Sequence, residues 1–537
     1  MMRLLPVNLD ALLVELDDLP QTLALLASLQ ERPIAGVDEL VPAARTILVR
    51  YRPAAVSAAA LAKDIAGRRL DRQVERAGTR IEIEVDYDGE DLDEVAQILG
   101  ATREEVIAWH TGSDYTVAFT GFAPGFAYLS GGDPRLDVPR RKTPRTRVPA
   151  GAVALAGTFS AVYPQASPGG WQLLGVTHTP MWDLAQAVPA LLQPGFRVRF
   201  VDAARRPPRA RTAAHAVAPA VAGTAAPAPG MAAGPAGAVL EVRNAGLQAV
   251  FQDLGRHGQA GQGVSASGAL DQGALRAANR AVGNPCDAAA IEIVDGGFEL
   301  CSQGDTVLAV AGADGPLHLV APDGRRWPQP RGQALALSDG DRLVVGAPRA
   351  GVRSYLAVRG GFAVAPVLGS CATDTLAKVG PDPIRTGDRL AVRPAVRGTV
   401  GTPELAPGDL PTAQDIVVLD VVMGPRTDWF TPEAVALLAQ QLWSVTPQSN
   451  RVGLRLAGEQ PLARSQPAEL PSEGTALGAI QVPASGQPVL FLADHPLTGG
   501  YPVIGAVAPH HLDLAGQIPI GARIRFNPIR PFAPITP

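Results

Sequence analysis

The sequence predicts a mainly β protein that contains β-barrels, with a small α+β subdomain at its N-terminus. From Tyr115 onward, short apolar runs are interrupted by Gly and Pro, a pattern typical of barrels and sandwiches. Similar β motifs also occur twice along the chain, once in each half. The length of 537 residues exceeds what a single hydrophobic core supports, so we expect several domains.

Residues 1–90 mix helix and strand patterns and are predicted to form the α+β subdomain. Residues 9–30 have the apolar spacing of a helix, and Thr46–Tyr51 is a short apolar strand candidate. Arg80–Asp86 alternates apolar and charged residues with the period of a strand. We therefore assign this strand to the subdomain.

Residues 91–203 are predicted to form the first β-barrel domain, which begins with two helices. Asp91 is expected to cap one helix, and Thr102 with Glu105 has the spacing of a capping box for the other. Residues 204–236 consist almost entirely of Ala, Pro, Gly and Arg. Such a segment cannot bury enough apolar surface to offset its chain entropy, so it predicts a flexible tether between two folded modules.

An internal repeat relates the two modules. The segments at 148–157, 167–176 and 194–200 are matched, in the same order, by those at 482–494, 497–507 and 519–526. In this alignment Val148-Pro149 matches Val482-Pro483, and Gly169-Gly170 matches Gly499-Gly500. We infer that both modules contain the same β-barrel unit.

The bulk composition indicates a soluble cytoplasmic protein. The formal net charge is −4, from 47 basic and 51 acidic residues, so no general field attracts nucleic acid. The three cysteines form no CxxC pair, which fits a reducing compartment. No apolar run approaches the length of about 18 residues that a membrane span needs, and the N-terminus lacks the apolar core of a signal peptide.

A basic, glycine-rich segment at 119–157 predicts an anion-binding site. Glycines expose backbone N–H groups to a ligand, and clustered guanidinium groups bind carboxylate or phosphate in pairs. A solvated basic loop is the alternative, and the residues alone leave both open. The ligand-binding candidates in this segment are Gly121, Pro124, Gly125, Arg140, Arg141 and Arg145.

A second candidate region lies at 252–297. Asp271 precedes a predicted helix, so it is either a plain N-cap or a functional acid. Glu292 lies inside the apolar strand AIEIV, where it is either exposed at an edge or directed into a pocket. Ser265 lies in an incomplete GxSxG pattern, which we reject as a nucleophile elbow. The binding candidates in this region are Arg256, Ser265 and Ser267.

A third candidate region follows residue 449. Asp494 and His495 end a predicted strand, where they are either an acid/base pair or the cap of a tight turn. The binding candidates in this region are Arg455, Glu473, Gln481, Thr498, Gly499 and Gly500.

Several familiar motifs are missing from the sequence. There is no GxxxxGK[ST], so a nucleotide site would not be a Walker P-loop. The histidines show no HExxH pattern, and the adjacent His510 and His511 are expected to point in different directions, so no metal site is expected. No Met-Lys-Met sequence is present, so covalently attached biotin is not expected.

These motifs together resemble the urea-amidolyase-related family. Residues 119–177 are similar to the first of its allophanate-hydrolase-type subunits, through GFAPGFAYL, PRRKTPRTRVPAG and SPGGW. Residues 243–300 are similar to the second of these subunits, through QDLGRHG, GVSASGALD, ANRAVGN and IEIVDGG. The stretches at 424–430, 449–458, 472–488 and 494–505 continue this second pattern. DHPLTGGY departs from the DRQTTGGY that is frequent in the family, so no role is transferred to His495 or Leu497.

The resemblance implies a fold, an activity and partners. It implies cyclophilin-like β-barrels, one in the first module and two in the second module, 237–537, which would divide near 395–415. It also implies a fusion of the B and C subunits of prokaryotic 5-oxoprolinase, which with a separate A-type partner protein and ATP, with Mg²⁺, hydrolyse 5-oxo-L-proline to glutamate. Carboxyl transfer from carboxybiotin to urea or a similar amide is one alternative. Binding to a histidine kinase as a regulator is another, and a homo-oligomer is left open.

Within this activity, we expect the carboxylates to be catalytic and the arginines to neutralise the negative charge of phosphate. The catalytic candidates are Asp271, Glu292 and Asp494. The cluster that includes Arg140 and Arg145 would neutralise a phosphoryl group, whose transition state mainly needs electrostatic support.

Overall fold

The computed structural model divides into two compact units. Of the described residues, the larger unit contains 2–70, 119–124 and those from 237 onward, and the smaller unit contains 79–118 and 125–205. No helix in the described part of the chain is long and apolar enough to cross a membrane. The described residues are 2–70, 79–141, 143, 145–205, 237–394, 399–403, 408–468 and 470–537.

The N-terminal part of the larger unit is a four-stranded antiparallel sheet with two helices. Its elements are β1 (Arg3–Asn8), β2 (Ala11–Glu15), α1 (Leu19–Glu31), β3 (Val37–Pro42), β4 (Thr46–Tyr51) and α2 (Ala58–Ala66). The strand order is β1-β2-β4-β3. One face packs on the helices through Leu12 and Ile47, and the other packs on Leu497 through Leu13 and Leu48. Both faces are therefore buried, which explains why this sheet belongs to the larger unit.

The smaller unit is a seven-stranded sheet that curls into a nearly closed barrel. Its elements are β5 (Arg80–Val85), α3 (Leu92–Leu99), α4 (Arg103–Gly112), β6 (Asp114–Thr120), β7 (Ala127–Ser130), β8 (Arg145–Val148), β9 (Ala152–Ala156), β10 (Phe159–Val162), β11 (Ser167–Gly169), β12 (Gln172–Val176) and β13 (Arg197–Asp202). The order is β12-β9-β10-β7-β6-β13-β5, and a bridge from Asp86 to Val176 joins its ends.

The assignment of the strand at 80–86 to the N-terminal subdomain is wrong. β5 pairs in parallel with β13 over six residues and buries Ile83 and Val85 in the barrel core. The alternating pattern identified the strand, but its partner lies more than a hundred residues along the chain. Of the predicted tether at 204–236, only Ala204 and Arg205 are described, as the end of a short 3₁₀ helix, Ala203–Arg205.

The first half of the C-terminal module consists of two sheets around one core. Its elements are β14 (Val239–Ala245), β15 (Gln248–Gln252), α5 (Gln272–Ala281), β16 (Ala290–Val294), β17 (Phe298–Gln303), β18 (Thr306–Asp314), β19 (Leu317–Val320), β20 (Arg326–Pro328), β21 (Leu335–Leu337), β22 (Arg342–Val345), β23 (Ala350–Val358) and β24 (Arg389–Ala391). The orders are β20-β19-β22-β17-β14-β24 and β15-β16-β23-β18-β21. Apolar residues of both sheets, such as Leu300 and Ile293, share the core.

The second half of this module is a closed seven-stranded barrel. Its elements are β25 (Ile416–Met423), α6 (Pro432–Gln440), β26 (Trp443–Val445), β27 (Gly453–Ala457), β28 (Glu473–Gly474), β29 (Ala479–Gln481), β30 (Val489–Phe491), β31 (Thr498–Gly499), β32 (Val503–Val507), α7 (Leu512–Gly516) and β33 (Arg523–Arg530). The order around the barrel is β25-β32-β29-β30-β27-β26-β33. Part of the predicted division near 395–415, namely 395–398 and 404–407, lies outside the described residues.

The predicted repeat is confirmed at the level of the fold. The closed barrel has the strand order of the smaller unit, and in both the last strand runs parallel to the first. Gly175 lies on β12 and Gly505 on the equivalent β32, as aligned. The mainly β fold class, with barrels and a small α+β subdomain, is confirmed as well.

One part of the sequence alignment of the repeat is wrong. Val148 ends β8, before the barrel strand β9, whereas Val482 follows the equivalent strand β29. The structural match is between Gly151 and Gly478, whose φ angles are +81° and +80°. Their N–H groups donate to the carbonyl oxygens of Tyr163 and Phe491, at 2.8 and 3.0 Å.

Candidate functional site

A buried ion-pair network joins the two halves of the C-terminal module. Arg451 is fully buried, and its guanidinium donates to Asp494 through two bonds of 3.0 Å, to Glu292 at 2.5 Å and to the carbonyl oxygen of Gly268 at 2.7 Å. Burial opposes ionisation of Asp494, but Arg451 outweighs it and holds the pKa of that carboxyl below its ordinary value. The network therefore fixes charged groups from distant segments in one place.

Glu292 and Asp271 belong to the same network. Glu292 lies on β16, between β15 and β23, so it points inward rather than lying at an edge. It accepts a hydrogen bond from the Tyr355 hydroxyl at 2.6 Å. Asp271 accepts from the Ala274 N–H at 2.8 Å, which confirms it as the N-cap of α5, and from Gln517 at 2.7 Å. Burial raises the pKa of Asp271 to about 6.

The loop at 263–268 is held by two different carboxylates. The Ser267 hydroxyl donates to Asp494 at 2.6 Å, and the Ser265 hydroxyl donates to Asp374 at 2.9 Å. Ser267 has a φ of +53°, which is a strained conformation for a residue with a side chain. At Gly268 a Cβ would lie 2.9 Å from the Gly255 nitrogen, so the loop packs closely on its neighbour. The two serines are thereby fixed in position.

Asp374 is an acid that the sequence analysis missed. It is 1% exposed, and the backbone N–H groups of Leu376 and Ala377 donate to it at 3.0 and 2.8 Å. Burial, followed by the negative charge of Asp494, raises the pKa of Asp374 to about 7. No local signal marks it, because its hydroxyl partner Ser265 lies 109 residues away. A carboxyl group that titrates near neutrality suits general acid/base chemistry.

Arg256 is a buried cation with unused donors next to Asp374. It is 2% exposed, and its Nη2 donates to the carbonyl oxygen of Ala372. Within the described residues its Nε and Nη1 atoms have no hydrogen-bond partner. Burial lowers the pKa of Arg256, while the nearby Asp374 and Asp253 oppose this. Because buried polar groups are normally paired, these donors indicate a place for a ligand oxygen.

A second group of predicted residues meets where the 119–124 loop packs on the closed barrel. A Cβ at Gly121 would collide with the Thr498 hydroxyl, and one at Gly499 would lie 2.6 Å from the Gln481 side-chain nitrogen. Thr498 is 3% exposed, and its Oγ1 has no partner within the described residues. Pro124 lies in the same buried loop. Glycine is thus required by close packing at these points.

Comparison with known proteins identifies the family of the chain. Residues 262–528 match the model of the carboxyltransferase domain, subdomain A and B, and residues 2–192 match that of subdomain C and D. The chain is 36% identical over 294 residues to the 5-oxoprolinase C subunit of Escherichia coli, a match that covers 54% of this chain and 90% of that protein. The chain belongs to the carboxyltransferase-domain family.

Both halves of this family member have relatives of their own. The chain is 37% identical over 193 residues to the 5-oxoprolinase B subunit of Bacillus subtilis, a match that covers 33% of this chain and 80% of that protein. It is also similar to the crystal structure of TTHA0988, with 34% identity and a TM-score of 0.78 over 96% of this chain and 99% of that one. The chain therefore fuses regions similar to the B and C subunits.

In this carboxyltransferase-domain protein, the basic cluster of the smaller unit is already paired. Asp91 accepts from Arg141 at 2.6 Å and from Arg145 at 2.7 Å, and its second oxygen accepts from the Leu173 N–H at 2.7 Å. Asp91 occupies the N-cap position of α3 as predicted, but its side chain makes no capping bond to the helix. The cluster is not a set of unpaired cations, because carboxylates compensate the charges of Arg141 and Arg145. Arg140 is half-buried beside it.

Some donors of the basic cluster remain unused. Arg145 Nη1 and Ser167 Oγ are buried without a partner in the described part of the chain. Gly125 also lies in the smaller unit, where a Cβ would lie 2.8 Å from the Met181 carbonyl oxygen. An anion could still be held here by the free face of Arg145.

Two predicted residues have other surroundings. Glu473 pairs with Arg426, which also binds Glu15 at 2.9 Å, beside a cavity of about 70 Å³. Arg455 is exposed on β27. The structure therefore brings Arg256, Ser265, Ser267, Asp271, Glu292 and Asp494 into one region, and Gly121, Gln481, Thr498 and Gly499 into another.

Proposed function

We propose that this chain is the combined B and C component of an ATP-dependent 5-oxoprolinase. It would act with a separate protein similar to the A component of that enzyme and hydrolyse 5-oxo-L-proline to L-glutamate. The observation that supports this most directly is the order of the two matches, since regions similar to proteins named as the B and C subunits follow one another in one chain.

The buried Ser265–Asp374 pair is the proposed centre of the chemistry. ATP would first activate the lactam by phosphorylating its oxygen. Water then adds to the carbonyl carbon, the carbon–nitrogen bond breaks, and the nitrogen takes up a proton, which gives glutamate with its side-chain carboxyl still bound to phosphate. A second water hydrolyses this acyl phosphate, so that the products are glutamate, ADP and phosphate. Asp374, with its raised pKa, would accept the proton from water and return it to the nitrogen. The free N–H groups of Arg256 would hold a substrate oxygen.

The three acids that the sequence suggested would then have supporting roles. Asp494 and Glu292 neutralise Arg451, and Asp271 caps α5, so each is engaged within the protein. They would position the 263–268 loop rather than touch the substrate. For ATP, with Mg²⁺, we propose the smaller unit, where Arg145 Nη1 and Ser167 Oγ offer unused donors to phosphate.

The test is reconstitution with a purified A-type partner protein, ATP, Mg²⁺ and 5-oxo-L-proline. We expect glutamate and ADP in equal amounts, and we expect Asp374→Asn to lower kcat at least about 100-fold. Asp323→Asn removes an exposed acid that pairs only locally with Arg325 and is the matched control. ADP formation without glutamate, or full activity of Asp374→Asn, would contradict the proposal.

Carboxyl transfer is the second candidate, because the matching domain models carry that description. In this case the chain would take a carboxyl group from carboxybiotin on a separate carrier protein and place it on a small amide such as urea. Incubation with a biotinylated carrier, biotin carboxylase, bicarbonate, ATP and urea tests this. Urea-dependent loss of carboxybiotin, together with no glutamate in the first assay, would favour this function.

A further inference from the structure

Two histidines and an aspartate lie close together on the outside of the closed barrel. In the sequence, all three follow the Ser265–Asp374 pair. Asp420 lies on β25, and His510 and His511 lie in a short 3₁₀ helix, Pro509–His511, that follows β32. One ligand atom from each residue lies within 4.8 Å of the others. The expectation that the adjacent histidines point in different directions is wrong, since their ring centres are only 4.5 Å apart.

The distances between these groups suit a shared metal ion. His510 Nε2 lies 3.0 Å and His511 Nδ1 lies 3.9 Å from Asp420 Oδ2. Ligand atoms that bind one Zn²⁺ at about 2.0–2.2 Å lie roughly 3–3.5 Å apart in a tetrahedral site. The side chains of Asp420, His510 and His511 are 24%, 51% and 25% exposed, so an ion can reach them. Small side-chain movements can also shorten the 3.9 Å distance to that of a tetrahedral site.

The surroundings orient the three groups. Asn527 on β33 donates to Asp420 Oδ1 at 2.7 Å, which leaves Oδ2 directed at the histidines. The Asp420 N–H donates to His511 Nδ1 at 2.9 Å, and the Ala508 N–H donates to the Asp420 carbonyl oxygen at 2.8 Å. A metal ion bound by His511 Nδ1 would replace the hydrogen bond from the Asp420 N–H. Hydrogen bonds that orient ligands in this way are typical of metal centres.

We propose that Asp420, His510 and His511 form a binding site for a divalent transition-metal ion such as Zn²⁺. Two imidazoles and one carboxylate suit Zn²⁺, Co²⁺ or Ni²⁺, whereas Mg²⁺ and Ca²⁺ prefer oxygen ligands. The site ties β25 to the segment that continues into α7. That segment carries Asp513, which accepts from the Gln272 N–H at 3.0 Å at the start of α5. Binding of the ion would thus stabilise the contact between the two halves of the C-terminal module.

Isothermal titration of the full chain with Co²⁺ tests the proposal. We expect saturable binding of one ion, weakened about tenfold or more in His510→Ala, His511→Ala and Asp420→Asn. His178→Ala is the matched control, since His178 is exposed and faces a single carboxylate, Asp86, at 3.5 Å. Unchanged Co²⁺ binding in all three site variants would overturn the proposal, as would equal weakening in His178→Ala.

The absorption spectrum of the Co²⁺ complex separates this site from cysteine thiols. Cys286 is exposed and is a competing ligand. Bound Co²⁺ should show d–d bands without the near-ultraviolet charge transfer of a thiolate, and Cys286→Ser should keep those bands. A thiolate band, or loss of binding in Cys286→Ser, would place the ion elsewhere. The metal-free melting temperature of each variant, which should match the parent chain, excludes misfolding as the cause of lost binding.

Discussion

Replacement of Arg451 by methionine tests whether the buried network holds the two halves of the C-terminal module together. Methionine keeps an unbranched side chain of similar length but removes four hydrogen bonds, to Asp494, Glu292 and the Gly268 carbonyl oxygen. Asp494 then loses its ion-pair partner, and Glu292 keeps the longer ion pair with Arg353, at 3.5 Å. Breaking a buried ion pair from one side costs about 3–5 kcal/mol, so we expect a loss of stability of this size in Arg451→Met.

Hydrogen-exchange mass spectrometry is the suitable assay, because a chain of two units need not unfold in one step. Amides in β16 and β27 should exchange roughly 10²–10⁴-fold faster in Arg451→Met, while those in β9 should not change. Arg325→Met removes an exposed pair with Asp323 and is the control. Adding Glu292→Gln and Asp494→Asn to Arg451→Met should restore part of the protection, since the carboxylate charges that Arg451 neutralised are then gone.

The pH dependence of this effect follows from the sign of the pKa shift. Arg451 holds the pKa of Asp494 below its ordinary value, so the contribution of the pair to stability is present above the ordinary carboxyl pKa and falls as the pH drops through the lowered one. Without Arg451, burial raises the pKa of Asp494, and protonation relieves the penalty. The difference between Arg451→Met and the parent chain should therefore shrink as the pH falls from neutrality toward the ordinary carboxyl range. A difference that stays the same over this range would refute this reasoning.

Three further predictions concern other parts of the chain. If Asp374 is the base, kcat/KM for 5-oxo-L-proline should rise with pH through about 7, and a residual rate in Asp374→Asn should lack this step. Gly121→Ala should lower the unfolding free energy by about 1–3 kcal/mol, because the new Cβ collides with Thr498, and Gly121→Ala with Thr498→Ala should recover part of it. Thr102→Ala removes the cap bond to the Glu105 N–H and should speed amide exchange at the start of α4 about fivefold, with no change in α6.

Elements whose signals are local could be predicted from the sequence. The capping box of Thr102 and Glu105 is present, with both of its hydrogen bonds formed. Thr46–Tyr51 forms β4 as predicted. Residues 9–30 were expected to be helical throughout, but Ala11–Glu15 forms β2. Both faces of that sheet are buried, so the strand is apolar at successive positions and lacks the alternation that distinguishes it from a buried helix.

Residues whose role depends on distant partners could be predicted only in part. Asp271 and Asp91 each precede a helix, yet Asp271 caps its helix while Asp91 binds Arg141, Arg145 and the Leu173 N–H. Local spacing cannot separate the two cases, because the competing donors lie 50 or more residues away. Asp374 was missed for the same reason.

The contrast between Asp374 and Asp494 explains how one loop can serve as a proposed reaction centre. Ser265 and Ser267 are two residues apart, but each donates to a different acid. Arg451 binds Asp494 directly and lowers its pKa, while the pKa of Asp374 is raised by burial and by the charge of Asp494 itself. Two nearby carboxyls whose pKa values are pushed apart are the arrangement that assigns one to fixed charge and the other to proton transfer. Arg451 would therefore act on the reaction through Asp494, by keeping that group ionised and Asp374 ready to exchange its proton.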